Sequence, residues 1–256
     1  LAVLLISRIF AGIAGATIST ASAYIADVTT PEQRGRGMAL IGDTFYVGNT
    51  DGVVAFPYTS GATRITAAPR PLTSYKPGGH WTRSLLASND GRKLYVGVGS
   101  LSNIGDSGLD VEAGRACIYE LDVASGAQRL FATGLRNPVG LAWEPTRGAL
   151  WTVVNERDGL GDETPPDYLT SVRDGGFYGW PYCYWGQTVD DRVPQDPAAV
   201  AKAITPDYAL GGHTARSDPE GSRPCAGNAA VALAGDCRPA HRRHHGAGAR
   251  GAVQGR

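Results

Sequence analysis

Three groups of residues in this 256-residue chain have the types and spacing to do chemistry. His80 lies in the glycine-led run Gly78-Gly-His-Trp-Thr-Arg83, just ahead of an apolar, strand-like stretch. An imidazole whose ordinary pKa is near neutrality suits general-base work there, and a structural or solvated loop histidine is the other reading. Arg136 and Asn137 precede Pro138 at the entry to an alternating apolar run. The arginine offers a fixed fork of donors to a carboxylate or quinone oxygen and the asparagine a directional donor, while a salt bridge between neighbouring sheets would use the same pair. The loop Asn155–Glu163 interleaves Glu156, Asp158, Asp162 and Glu163 with glycines. Its carboxylate and carbonyl oxygens could converge on a hard cation such as calcium, or form a solvated acidic turn, and the spacing is not that of an EF-hand. With the aromatic hairpin expected at Phe177–Trp185, the run Gly134–Gly186 reads as the floor of a site.

The elements that must position these groups are short strands. Thr44–Gly48, Val53–Tyr58, Lys93–Val98, Ala116–Leu121, Gly140–Trp143 and Ala149–Val154 are β-type runs, with turns at Asn49–Gly52, Asn89–Gly91, Ala124–Gly126 and Thr146–Gly148. Phe45-Tyr-Val-Gly48 is echoed by Leu94-Tyr-Val-Gly97 and Leu150-Trp-Thr-Val153, and Asp51–Ile65 by Gly114–Leu130. Repeats of about 40–65 residues built from short strands fit propeller blades better than a sandwich. The expected fold is therefore all-β, a partial β-propeller over residues 42–213. Apolar residues make up 42% of the chain, enough for a core, and 35 glycines and 16 prolines agree with many turns. The formal net charge is zero, which removes any overall electrostatic case for nucleic acid. Four cysteines without C-x-x-C spacing signal neither a zinc ribbon nor a thioredoxin-like site.

The flanks are of other kinds. Residues 1–41 are apolar and small, with a charge-free run Ile9–Ala26 near the lower length limit of a membrane-spanning helix. A membrane-type helix is the leading expectation, beside a buried helix or a signal peptide, and it carries possible membrane association with it. A start at Leu1 rather than Met reads as a missing N-terminus. Residues 214–256 are rich in Arg, Ala, Gly and Pro without strand or helix period, so a disordered basic tail is expected, or the product of a slipped reading frame. His241-Arg-Arg-His-His245 within it could be read as a metal or nucleic-acid patch, with the disordered tail favoured.

Two resemblances follow from these residues. Ser7–Gly12, Ala23–Val28 and Arg34–Gly37 resemble part of a major facilitator transporter, although one helix cannot form a transport path. Residues 43–213 resemble the quinoprotein sugar dehydrogenases, of the soluble glucose dehydrogenase and L-sorbosone dehydrogenase type. The likeness rests on Gly79-His-Trp-Thr-Arg83, Asp90–Ser100, Thr133–Ala142, Asn155-Glu-Arg-Asp158 with Gly161-Asp-Glu163, Pro166–Thr170 and Gly175-Gly-Phe-Tyr-Gly-Trp-Pro181. It implies a six-bladed β-propeller carrying pyrroloquinoline quinone and calcium, which oxidises a small sugar for an electron acceptor in the periplasm. It further implies His80 as the base, Arg136 and Asn137 as holders of the quinone oxygens, and as calcium contacts the main-chain oxygens of Arg157 and Asp158, the Glu163 carboxylate and Tyr178. Blades expected before Asp43 and after Gly212 are absent, so the resemblance also implies impaired activity. A non-catalytic carbohydrate- or protein-binding propeller and a transporter fragment are the alternatives.

Overall fold

The structure, a computed structural model, describes residues 37–81, 83–161 and 164–211. The first antiparallel meander is β1 (Gly37–Ile41), β2 (Thr44–Asn49), β3 (Gly52–Pro57) and β4 (Arg70–Pro71). The second is β5 (Leu85–Ala87), β6 (Lys93–Val98), β7 (Cys117–Asp122) and β8 (Gln128–Thr133). The third begins with β9 (Pro138–Trp143), β10 (Leu150–Val154) and β11 (Asp167–Val172). The chain then returns to the second sheet, where β12 (Gly176–Phe177) pairs in parallel with β8, and makes a small hairpin of β13 (Cys183–Tyr184) and β14 (Thr188–Val189). A one-turn helix α1 (Pro197–Val200), capped by the Asp196 side chain, leads into β15 (Tyr208–Gly211), which completes the third sheet beside β11. Three consecutive four-stranded meanders are the blades of a β-propeller.

The sequence repeat is the blade repeat. Its three copies are β2, β6 and β10, the second strand of each meander, and the longer echo pairs β3 with β7. All four turns expected from Gly, Asn and Asp close hairpins within these blades. Two boundaries move. Gly37–Ile41, grouped by the sequence with the apolar helical segment, is strand β1, because Met38 to Ile41 pair in register with Val47 to Thr44. The rest of that segment, including Ile9–Ala26, and residues 214–256 lie outside the described residues. The aromatic hairpin expected at Phe177–Trp185 forms instead at Cys183–Val189, because Phe177 is drawn away to pair with Thr133 on β8.

The core has two layers, one on each face of the second blade. Leu94, Val96 and Val98 of β6 pack with Tyr46, Val53, Ala55 and Tyr75 of the first blade. Tyr95 and Ile118 face the other way, onto Leu150, Val154 and Tyr168 of the third. A strand buried on both faces loses its polar alternation, which is why Leu94-Tyr-Val-Gly97 reads as a continuous apolar run. The motif glycine has its own reason. A Cβ on Gly48 would lie 2.7 Å from the Arg83 carbonyl oxygen, and one on Gly97 2.9 Å from that of Pro138, so glycine admits the backbone of the next blade. Gly97→Ala is expected to lower stability by about 1–3 kcal/mol through overpacking against an unyielding main chain, seen as a lower urea midpoint with an unchanged slope.

Candidate active site

In an antiparallel meander the start of the first strand and the end of the second share one edge of the sheet. His80 lies shortly before β5, Ser100 just after β6, Arg136 and Asn137 just before β9, and Asn155 to Asp158 just after β10. Topology thus gathers at one mouth the groups that the chain scatters over some eighty positions. Gly99 shows how close they come, since a Cβ there would collide with both the Asn137 side chain and His80 Cβ.

His80 is held by Ser100. Its main-chain NH donates to the Ser100 carbonyl at 3.0 Å, and its Nδ1 lies 2.9 Å from the same oxygen and 3.0 Å from Ser100 Oγ. The Ser100 hydroxyl gives its own proton to the Ser102 carbonyl at 2.7 Å. Both oxygens facing Nδ1 therefore accept, Nδ1 carries the hydrogen, and Nε2 keeps its lone pair. Burial, reinforced by the Arg136 charge, pushes the His80 pKa down to about 4, so the imidazole is neutral at neutral pH.

Two buried arginines fix the main chain beneath it. Arg83 donates to the His80 and Thr50 carbonyls, both at 2.8 Å. Arg115 binds the carbonyls of Gly99, Lys76 and Gly78 at 2.8–2.9 Å and those of His80 and Ser100 at 3.2 Å. Glu112 completes the frame by accepting from the main-chain NH groups of Leu101 and Ser102. Arg83 stands in the motif around His80. Arg115 and Glu112 have only one sequence signal, charges beside a fully apolar strand start.

Arg136 lies at the mouth and links blades. Its Nε donates to the Asn103 carbonyl at 3.1 Å, Nη1 to the Glu156 carbonyl at 2.6 Å, and Nη2 to Asn103 Oδ1 at 2.8 Å. The Asp158 carboxylate is 3.7 Å away. Asn103 is the hub, since its Oδ1 also accepts from the Asp158 NH at 2.9 Å and its carbonyl from Trp180 Nε1 at 3.0 Å. Nothing in the local sequence marks it. Asn137 is 5% exposed, and its Oδ1 is buried without a hydrogen-bond partner. An orphaned buried carboxamide oxygen beside a neutral imidazole fits a site whose ligand brings a hydrogen-bond donor, such as a sugar hydroxyl or the ring N–H of the quinone cofactor.

Of the expected calcium contacts, Arg157 and Asp158 stand together at the mouth and Tyr178 does not. The Arg157 side chain is fully buried and binds Glu156 Oε2 at 2.9 Å, the Pro181 and Cys183 carbonyls at 2.8 and 2.7 Å, and Asp190 Oδ2 at 3.2 Å. Tyr178 belongs to the core between the second and third blades. Its hydroxyl donates to the Ser171 carbonyl at 2.6 Å and accepts from the Arg173 NH at 3.0 Å, at the opposite end of β11 from the mouth. The Asp158 carbonyl already accepts from Asn103 and Arg192. Glu163 lies outside the described residues. Among the described residues no group of three or more His, Cys, Asp or Glu side chains could hold a metal, so a calcium ion here would rest on main-chain carbonyls such as that of Arg157.

Comparison with known proteins matches residues 2–207 to a family described as TrAA12-like. That match takes in the first forty residues, and these comparisons give the transporter likeness no support. The chain is 27% identical over 195 residues to the pyrroloquinoline quinone-dependent sugar dehydrogenase of Hypocrea jecorina (strain QM6a), covering 66% of this chain and 45% of that protein. Among solved structures it resembles the calcium structure of Trichoderma reesei carbohydrate-active enzyme family AA12, with TM-score 0.64 and 23% identity over 73% of this chain and 58% of that one. The holo form of the pyranose dehydrogenase PQQ domain of Coprinopsis cinerea gives TM-score 0.58 and 22% identity, covering 73% of this chain and 57% of that one. The chain spans about half the length of these relatives.

Proposed function

The chain belongs to the TrAA12-like family, and from that premise we propose that it serves the oxidation of a sugar or sugar aldehyde, an aldose or L-sorbosone, with pyrroloquinoline quinone as acceptor. The observation that carries the reading is His80, a neutral imidazole with Nδ1–H committed to Ser100 and its Nε2 lone pair available. The quinone, when bound, supplies the acceptor for a hydride leaving the sugar carbon. His80 Nε2 takes the hydroxyl proton as that hydride leaves, and the Ser100 carbonyl stabilises the imidazolium through Nδ1–H. Asn137, whose carboxamide oxygen is an unmet acceptor, takes a hydrogen bond from a donor on the bound group and so orients it. Arg136 adds positive charge to the same mouth, and its contact with Asp158 at 3.7 Å is the least committed of its bonds. Calcium has no step in this reading.

The test is reduction of an artificial dye by the purified chain with added quinone, using an aldose panel and L-sorbosone. Weak sugar-dependent reduction, in keeping with a partial propeller, and a thermal shift on quinone addition are expected. Neither dye reduction nor a quinone-induced shift would overturn the reading and leave a carbohydrate-binding propeller in its place.

A further inference from the structure

Arg192 reaches the loop that follows β10 from beyond the β13–β14 hairpin. Its Nε and Nη2 grip the two oxygens of Asp190 at 2.8 and 2.7 Å, a bidentate pair that fixes the plane of the guanidinium. The remaining arm, Nη1, donates to the Asp158 carbonyl at 3.0 Å, where Asn103 Nδ2 also donates at 3.2 Å. A carbonyl oxygen has two lone pairs, and both are taken. The loop is shaped around this contact: Gly159 has φ +88°, and a Cβ on it would lie 3.0 Å from Arg192 Nη1. The same region pairs Arg136, Arg157 and Arg192 with Glu156, Asp158 and Asp190, and adds the buried Asp167 carboxylate, which accepts from the Glu156 NH at 2.8 Å.

We propose that Arg192 is the resident cation of this loop: its guanidinium holds the Asp158 main chain where the family resemblance places calcium, so residues 155–161 keep their fold without a divalent ion. The inference rests on the proposed quinone site for its meaning, but its test does not use turnover. Thermal unfolding and amide exchange of residues 155–161 are measured on the full chain, without quinone, in calcium chloride and in EGTA. Wild type is expected to unfold within about 1 °C in both, with unchanged exchange. Arg192→Gln, which removes the charge, is expected to unfold several degrees lower and to recover part of that loss in calcium but not in magnesium. Arg192→Lys, which keeps the charge, should show no calcium dependence. A wild-type melting temperature that drops in EGTA and returns with calcium would overturn the proposal, even if Arg192→Gln failed to fold. Quinone binding, followed separately by fluorescence quenching, distinguishes this failure from failure of the functional reading.

Discussion

Arg157→Leu is expected to cost the fold about 3–5 kcal/mol, a large part of the 5–15 kcal/mol that holds a typical domain together. The guanidinium is the centre of a network closed to solvent. Glu156 and Asp190, its two carboxylate partners, have side chains 1% and 0% exposed. One Glu156 oxygen already lacks any partner, so the other depends on Arg157. Leucine would fill much of the volume but leave the buried Glu156 carboxylate without its cation and Asp190 with Arg192 alone. It would also release the Pro181 and Cys183 carbonyls, and with them the anchor of the β13–β14 hairpin. Lysine, with one ammonium in place of a planar fork, should recover only part of the loss. Arg129 is the control. Its pair with Asp174 is as short, 2.6 Å, but both side chains are about half exposed, so Asp174→Ala should cost less than about 1 kcal/mol. Urea unfolding of the three variants measures the contrast, and equal midpoints for Arg157→Leu and Asp174→Ala would refute it.

His80→Ala is expected to lower kcat by about 10²–10⁴-fold while leaving quinone affinity within a small factor, the signature of a lost general base. The pH dependence is more specific. Only neutral His80 can accept the proton, and its pKa is about 4, so kcat/KM should stay level from neutral pH down to about pH 5 and fall as pH passes through 4. An acid limb near the ordinary histidine value of 6.5 would show that the imidazole is neither desolvated nor under the influence of Arg136. Stability follows with a definite sign. Below pH 6.5 the unfolded chain takes up a proton at His80 that the folded chain refuses until about pH 4. The folded state is therefore progressively penalised between those values, and His80→Ala should be less acid-sensitive across that window. Turnover unaffected by His80→Ala would remove the residue from the mechanism.

Much of this was legible without coordinates. The copies at Phe45, Leu94 and Leu150 marked the second strand of each blade because every blade buries that strand. The Gly, Asn and Asp turns placed the hairpins because their backbone preferences are local. Strands β4, β8 and β15 escaped because their residues are largely exposed and carry no apolar alternation. Strand β1 was hidden by its apolar surroundings.

The site divides along the same line. The sequence by itself picked out the groups that meet at the mouth, His80 and the Arg136-Asn137 pair, together with the blade repeat around them, since these depend on residue type and local period. Only the tertiary structure decided that Ser100 fixes the His80 tautomer and that Arg115 and Asn103 hold the loops. It alone sent Tyr178 into the core, buried Arg157 between Glu156 and Asp190, and set Arg192 on the Asp158 carbonyl. Each of these is a hydrogen bond or ion pair between distant parts of the chain. A donor's partner is fixed by which loops the folded blades bring within about 3 Å, and no local spacing encodes that distance.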